Sequence, residues 1–456
     1  MVQRASRTGR RAGAAPQAQR RPKRALTQVG GAVARSGHAG WAQALARCLR
    51  VRPAAGLERW THGFHTYPAR MHPDTAAGLV GLLVAPGQTL LDPFCGAGTV
   101  LLEALVAGRC AIGRDLNPLA VRIAALRCRV TSETERRALR DTASRLALQA
   151  LRRARVGHEP PALPGPLLLP RGDGPGSPPS PTALAPWRGK LAALFPAALL
   201  PELAWITSGV AQLDDPFVHE ALALVLSSLL VKLSHRLSDT DARVEERRVV
   251  TVGTAARAFR ARAHELSLQL KSLAGTVRAP RPAPGHPRGA ADHPPAIALA
   301  VDDARRLASV PDASIDVVIT SPPYASVYDY AEQQALRLQW LGLDDAPLVQ
   351  GEIGARRSFV DPRAGRTAWL RDGQAWVRAL ARVLRPGGRA AVLGGDGASA
   401  LGAIPFDVDL AAWAGQAGLV LLASASQARR SFDEPSRDAY RRGQRREHLL
   451  LVERPA

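Results

Sequence analysis

Cysteine, methionine, lysine and aromatic residues are all scarce in this chain of 456 residues. The four cysteines, Cys48, Cys95, Cys110 and Cys128, form no CxxC pair and no Cys/His spacing. That excludes the usual sequence signatures of a zinc site or a disulfide framework and fits a reducing compartment. His62, His65 and His72 lie close together, but neither a cysteine nor an evident carboxylate partner accompanies them, so no metal is expected. No run of 18 or more uncharged apolar residues occurs, and a membrane span is not expected. Acids are absent from residues 1–57, which also lack the apolar core of a signal peptide.

Bases outnumber acids, 61 to 39, for a formal net charge of +22. Such an excess concentrates polyanions at the surface and favours nucleic acid as a partner. Nearly all the bases are arginine, alongside abundant Ala, Gly and Pro. A GC-rich coding sequence explains arginine over lysine, but not bases over acids. An apolar fraction of 46% suffices for a sizeable core, and the length suggests about three domains.

Residues 1–57 read as a basic, disordered arm able to track phosphates. Strand and helix patterns alternate in two blocks, 58–130 and 296–456. Helices are predicted at 75–84, 118–127, 133–156, 189–236, 254–274, 329–341 and 368–384. Strands are predicted at 297–301, 315–319 and 389–393, with a closing antiparallel pair at 419–423 and 448–452. Residues 131–295 read as an Arg-rich helical insertion, with Pro-rich linkers at 159–187 and 279–295, suited to substrate recognition. The expected fold class is α/β, with a mostly parallel, doubly wound sheet. In such sheets ligands sit beyond the carboxyl ends of the strands.

Two motifs carry chemistry. Gln88–Ala104 reads strand, glycine turn, helix, with Gly96 and Gly98 allowing close approach of a ligand to the backbone. Thr99 opens the helix, where N–H groups are free. Cys110–Asn117 reads as the next strand, and Asp115 stands where an acid commonly accepts ribose hydroxyls. Leu101 replaces the third glycine of a dinucleotide fingerprint, and the turn holds no Gly-Lys-Ser/Thr phosphate loop. A cofactor with adenosine but no pyrophosphate fits better, and S-adenosyl-L-methionine is such a molecule. The second motif, Thr320–Tyr324, follows the strand Ile315–Ile319. Pro322 and Pro323 fix φ and remove two N–H donors. Ser321, the free carbonyls and the Tyr324 ring suit a planar amino group.

At these residues the chain resembles the amino-methyltransferases of DNA, the N4-cytosine and N6-adenine group. Asp92–Thr99 is similar to that family's cofactor motif, and Ser321–Tyr324 to its catalytic motif in the form usual for N4-cytosine enzymes. Adenine enzymes more often carry Asp in place of the Ser. His65–Arg70 resembles a segment that precedes the cofactor motif, and Val301–Arg305 the acidic turn that reads the cofactor's adenine. Asp329–Gly342 and Val383–Arg389 also match the family's style, so the resemblance covers 60–125 and 297–455.

The resemblance implies a Rossmann-like class I methyltransferase fold, S-adenosyl-L-methionine as cofactor and DNA as partner. It implies methylation of cytosine N4 in a restriction–modification setting, and a cytoplasmic, nucleoid-associated enzyme of prokaryotic type. Cofactor contacts are expected from Asp92, Phe94, Cys95, Gly96, Gly98, Thr99, Asp115, Asp303, Tyr67 and Arg70, with Asp302 competing for the role of Asp303. Catalysis is expected at Ser321, Pro322, Pro323 and Tyr324. Glu332, Arg356, Arg357 and Arg366 are candidates for a substrate channel. Five-position cytosine methylation needs a Cys nucleophile, typically in Pro-Cys, and that dipeptide is absent. Cys95 therefore reads as a small packing residue. Similar motif pairs occur in RNA guanine-N2 methyltransferases, so methylation of an RNA guanine N2 or adenine N6 is the alternative. A reading of another class is a non-catalytic nucleic-acid-binding protein with this fold. The intact Asp92, Gly96, Gly98 and Tyr324 speak against it.

Overall fold

The computed structural model describes residues 31–51, 56, 58–68, 70–161, 193–238, 241–244, 250–277, 296–430 and 434–456. Its strands are β1 (Val33–Gly37), β2 (Thr89–Asp92), β3 (Cys110–Asp115), the hairpin of β4 (Arg236–Ser238) and β5 (Asp241–Val244), β6 (Ile297–Val301), β7 (Ile315–Thr320), β8 (Leu384–Gly395), the hairpin of β9 (Gly397–Ser399) and β10 (Gly402–Ile404), β11 (Val420–Ala428) and β12 (Arg446–Glu453). The helices used below are α1 (Ala39–Leu49), α2 (Pro73–Leu83), α3 (Thr99–Val106), α4 (Pro118–Arg127), α5 (Glu133–Val156), α6 (Leu200–Ala211), α7 (Pro216–Leu233), α8 (Thr254–Thr276), α9 (Tyr330–Leu341), α10 (Ala346–Gly351), α11 (Pro362–Val383) and α12 (Phe406–Gln416).

Eight strands make one sheet in the order β1-β11-β12-β8-β7-β2-β3-β6. The five from β8 to β6 are parallel; β12, β11 and β1 extend the sheet antiparallel. This is the Rossmann-like α/β class expected from the sequence. The period of two decides which residues face each layer. Leu90, Val317, Ile319, Ala391, Leu393, Leu449 and Leu451 point to the layer of α1, α2 and α3. Their neighbours Leu91, Val318, Ala390, Val392, Leu450 and Val452 point to the layer of α11 and α12. The Pro386-Gly387-Gly388 turn leaves the ladder: register jumps from Ile315↔Leu384 to Val317↔Arg389.

The reading of residues 1–57 as one irregular arm needs correction. Residues 33–49 form β1 and α1, and Val33, Leu45 and Leu49 are buried against the sheet. The apolar spacing of Trp41, Leu45, Cys48 and Leu49 is that of a helix with one buried face. Residues 1–30 lie outside the described residues, as do most of both Pro-rich linkers.

The insertion supplies α5 to α8. A capping box starts α5: Ser132 Oγ accepts from Glu135 N–H (3.2 Å), and Glu135 Oε2 accepts from Ser132 N–H (2.7 Å). Leu139 and Leu146 of α5, Leu203 and Ile206 of α6, Leu222 and Leu226 of α7, and Phe259 and Leu266 of α8 share one core. Leu119 and Ile123 of α4 and Leu336 and Leu338 of α9 belong to it too. The insertion is therefore fused to the sheet's own helices by a common core. Among the described residues α7 is the helix long and apolar enough to cross a membrane, and 83% of that window is buried inside the protein. Its all-round apolarity is that of a central core helix.

The buried Glu202 on α6 closes the N-terminus of α8, accepting from the N–H groups of Gly253 and Ala256 (2.8 Å for the latter). Glu202→Ala should lower stability by about 2 kcal/mol, because it orphans buried donors at a helix start. Urea unfolding monitored by circular dichroism checks this; an unchanged midpoint would show that the cap is dispensable.

Candidate active site

The carboxyl ends of β2, β3, β6 and β7 surround one cavity. It is lined by Tyr67, Arg70, Asp92, Phe94, Cys95, Gly96, Thr99, Asp115, Asp303, Ser321 and Pro323, among others. Both sequence motifs thus open into the same space. The joint between them is explicit: Thr320 at the end of β7 donates its hydroxyl to Asp92 Oδ1 at the end of β2 (2.6 Å). Phe94 N–H donates to the same oxygen (3.2 Å), which leaves Oδ2 for a ligand.

Asp115, the last residue of β3, accepts from Gly96 N–H (2.8 Å) and Asn117 N–H (2.9 Å). It therefore fixes the glycine turn as well as lining the cavity. Gly96 and Gly98 have φ of +49° and +76°, a region in which side chains are strained. A Cβ on Gly98 would lie 2.8 Å from the Ala124 Cβ, so this glycine serves the packing of α3 on α4. Neither Gly98 nor the buried Pro322 lines the cavity. Burial holds the carboxyl of Asp92 up at about 7 and that of Asp115 at about 6. Burial also pushes the Cys95 thiol well above its usual range, and the Asp115 and Asp92 carboxylates add to the effect. A protonated, packed thiol fits the reading of Cys95 as structural.

Of the two competing acids after β6, Asp303 lines the cavity. Asp302 turns away and accepts from Ser309 N–H (3.0 Å) and Oγ (2.6 Å). The Asp303 carboxylate is gripped by Arg305, with contacts of 2.7–3.1 Å, and these bonds lower its pKa against the opposing effect of burial.

The cavity holds buried donors that suit a methionine-like end. Arg70 Nε and Thr99 Oγ1 are buried without hydrogen-bond partners. Thr99 also begins α3, whose first N–H groups favour a carboxylate. Arg70 Nη1 donates to the His62 carbonyl (2.5 Å). S-adenosyl-L-methionine fits this donor and acceptor set: a carboxylate for Arg70 and Thr99, an ammonium for Asp92, a ribose for Asp115.

Tyr324 stands apart from this cavity. Its ring lines a second, smaller one with Tyr328, Arg70, Arg429 and Glu447. Arg70 lines both. Tyr330, to which the sequence reading assigned no role, lines the cofactor cavity and stacks on Tyr67 (centroids 6.3 Å apart, 19° between planes). Tyr328 packs against Tyr330 (5.4 Å). Four of the chain's five tyrosines therefore gather here, a concentration that the spacing of residues 324–330 foreshadows.

The channel candidates do not converge. Arg366 is bound to Asp409 (2.6 Å), Arg357 to Glu352 (2.6 Å) and Arg356 to Asp329 (3.1 Å), while Glu332 is exposed on α9. These arginines brace helices and the loop before α9. The histidines also differ from the sequence reading. His62 has a carboxylate partner after all, Glu103 Oε1 at 2.8 Å, and its Nδ1 faces Arg127 Nη2 at 2.9 Å. His65 bonds Ser227 of α7 (3.1 Å), and His72 caps α2 (3.1 Å). Glu103 lies 41 residues from His62, a separation that sequence spacing cannot reveal.

Residues 60–159 match the UPF0020 family, described as RMKL-like, methyltransferase domain. A 62-residue stretch is 45% identical to the Type II methyltransferase M.MvaI of Kocuria varians, covering 13% of this chain and 14% of that protein. Among solved structures, TrmN from Thermus thermophilus is similar at 12% identity and a TM-score of 0.30, over 84% of this chain and 49% of that one. A putative DNA modification methylase from the same species, complexed with S-adenosyl-L-methionine, is similar at 22% identity and a TM-score of 0.21, over 34% of this chain and 52% of that one. Residues 60–159 thus match a methyltransferase domain, and S-adenosyl-L-methionine is the cofactor to be expected in the cavity.

Cofactor affinity should follow the ionisation of Asp92. Its folded pKa is raised to about 7, so the carboxyl is increasingly protonated below that pH. A cationic ammonium prefers the ionised form, so affinity should fall as pH drops below about 7, by at most about tenfold per pH unit. Binding at pH 6 should release protons, seen by calorimetry in buffers of different ionisation enthalpy. Asp92→Asn should remove the proton release; release that persists in this variant would assign it to another group.

Proposed function

We propose that this protein methylates an exocyclic amino group of a base in DNA, cytosine N4 by preference, with the base turned out of the duplex. One observation carries the reading: Ser321 and Pro323 line the same cavity as Asp92, Asp115 and Asp303. The local identity to a Type II methyltransferase and the net charge of +22 support it. When bound, S-adenosyl-L-methionine supplies a methyl group on a sulfonium.

The chain's own residues orient and desolvate. Holding nucleophile, methyl carbon and sulfur on one line supplies several kcal/mol of the barrier. A base's amine is a poor nucleophile because its lone pair is delocalised into the ring. The Ser321 hydroxyl and a backbone carbonyl near Pro322, in the Ser321–Tyr324 turn, accept its N–H groups, which favours a more tetrahedral nitrogen and frees the lone pair. Ser321 is too weak an acid to serve unaided as a base; the proton leaves after methylation, when the amine is cationic. Tyr324 stacks on the extruded base in the second cavity. Stacking returns about 1–3 kcal/mol per base, against an extrusion cost of a few kcal/mol. Arg70 lines both cavities.

Transfer of labelled methyl from S-adenosyl-L-methionine to unmethylated duplex DNA and, in parallel, to unmodified RNA tests this, followed by nucleoside mass spectrometry. N4-methylcytosine in DNA is the expected product. N6-methyladenine would keep the reaction and change the base; label in RNA alone would replace the substrate. Asp92→Ala should abolish cofactor binding. Tyr324→Ala should cut turnover while cofactor affinity stays as in the wild type.

A further inference from the structure

Tyr324 is held from a distance. Its phenol donates to Glu447 Oε1 (2.8 Å), 123 residues further along the chain. Glu447 is buried on β12, the antiparallel strand between β8 and β11. Its other oxygen, Oε2, receives Arg429 Nη2 (2.6 Å) and Nε (3.2 Å). Arg429 follows β11 and is itself steadied by Gln427 Oε1 (2.7 Å). Beneath the ring lies Gly395, the register partner of Glu447 on β8. A Cβ there would sit 2.5 Å from the ring, so a side chain at position 395 would displace Tyr324. One end of the ring is thus seated on backbone, and the other is tied to an ion pair that belongs to the closing strands.

We infer that Glu447, held by Arg429, is a positioning residue that sets the Tyr324 ring as the platform for the substrate base. Glu447 and Arg429 line the same small cavity as the ring, and neither lines the cofactor cavity. An ion-paired carboxylate is a stronger acceptor for a phenol than a neutral group, and its bond constrains the ring's tilt. The reading deepens the proposed function and rests on Tyr324 stacking the base. It also accounts for the isolation of the pair from that chemistry in sequence: the two motifs end at residue 324, and the device that orients the last of them is built from residues 395, 429 and 447.

The test compares Glu447→Ala, Glu447→Gln, Tyr324→Phe and Tyr324→Ala in the full chain. Methyl transfer to unmethylated DNA and unmodified RNA gives kcat and KM, calorimetry gives cofactor affinity, and NMR of tyrosine labelled with carbon-13 at Cζ reports the ring. Five tyrosines make that spectrum assignable. Glu447→Ala should lower kcat about tenfold with cofactor affinity unchanged, and should shift the Tyr324 signal alone. Its effect should not add to that of Tyr324→Phe. Glu447→Gln, whose amide oxygen still accepts from the phenol, should recover most of kcat. Wild-type kcat and an unmoved Tyr324 signal in Glu447→Ala, with Tyr324→Ala inactive, would overturn the inference and leave the stacking reading standing. Tyr324→Ala at the wild-type rate would remove both. If Glu447→Ala does not fold, the conservative pair decides: the inference requires Tyr324→Phe to lose turnover and Glu447→Gln to keep it, and the reverse result overturns it.

Discussion

The hydrogen bond from Thr320 to Asp92 is the joint on which the site depends. It crosses adjacent parallel strands, β7 and β2, at their last residues and links segments 228 positions apart. On one side of it the chain turns into the glycine loop, and on the other into Ser321–Tyr324. Because Asp92 is buried, leaving its carboxylate without partners would cost more than the bond itself contributes. Thr320 and Phe94 N–H meet that demand on one oxygen and leave the second for a cation. The sheet thereby sets the spacing between the glycine loop and the Ser321–Tyr324 turn.

Around this joint the polar and aromatic residues are unevenly distributed. Acids are few in a chain with so many arginines, and several of them bind arginines that brace the scaffold: Asp409 with Arg366, Glu352 with Arg357, Glu220 with Arg122. The acids of the cofactor cavity instead accept mainly backbone N–H and hydroxyl groups, as Asp92 and Asp115 do. Asp303, gripped by Arg305, and Glu352, bound to Arg357, are the exceptions. Aromatic side chains are scarce, yet Tyr67, Tyr330 and Tyr328 pack in succession, and Tyr328 and Tyr324 line the second cavity together. Flat rings on a rigid sheet end suit a flat substrate without a large loss of side-chain entropy.

Much of this was legible in the chain itself. Unbroken apolar runs at 317–319 and 449–452 mark strands buried on both faces of the sheet, and the capped segment 133–156 announces its helix. That Asp92, Asp115, Ser321 and Pro323 face one cavity was legible because each lies at or just beyond a strand's end, where an α/β sheet presents its ligands. The order of strength between Asp302 and Asp303 was not legible. It depends on which carboxylate the Ser309 turn captures. Residues 33–49 misled because arginine and glycine surround a short apolar stripe, and only the exposed edge of β11 gives that stripe something to pair with.

Sequence alone determined the fold class, the two motifs and the cofactor chemistry, since these depend on local periodicity and on turns that few residues permit. Tertiary structure decided which residues share a cavity. It joined the insertion to α4 and α9 through one core, withdrew Arg357 and Arg366 into ion pairs, gave His62 its carboxylate, and tied Tyr324 to Glu447. The physical reason is the same in each case: a buried polar group must find its partner in space, and chain separation places no limit on where that partner comes from.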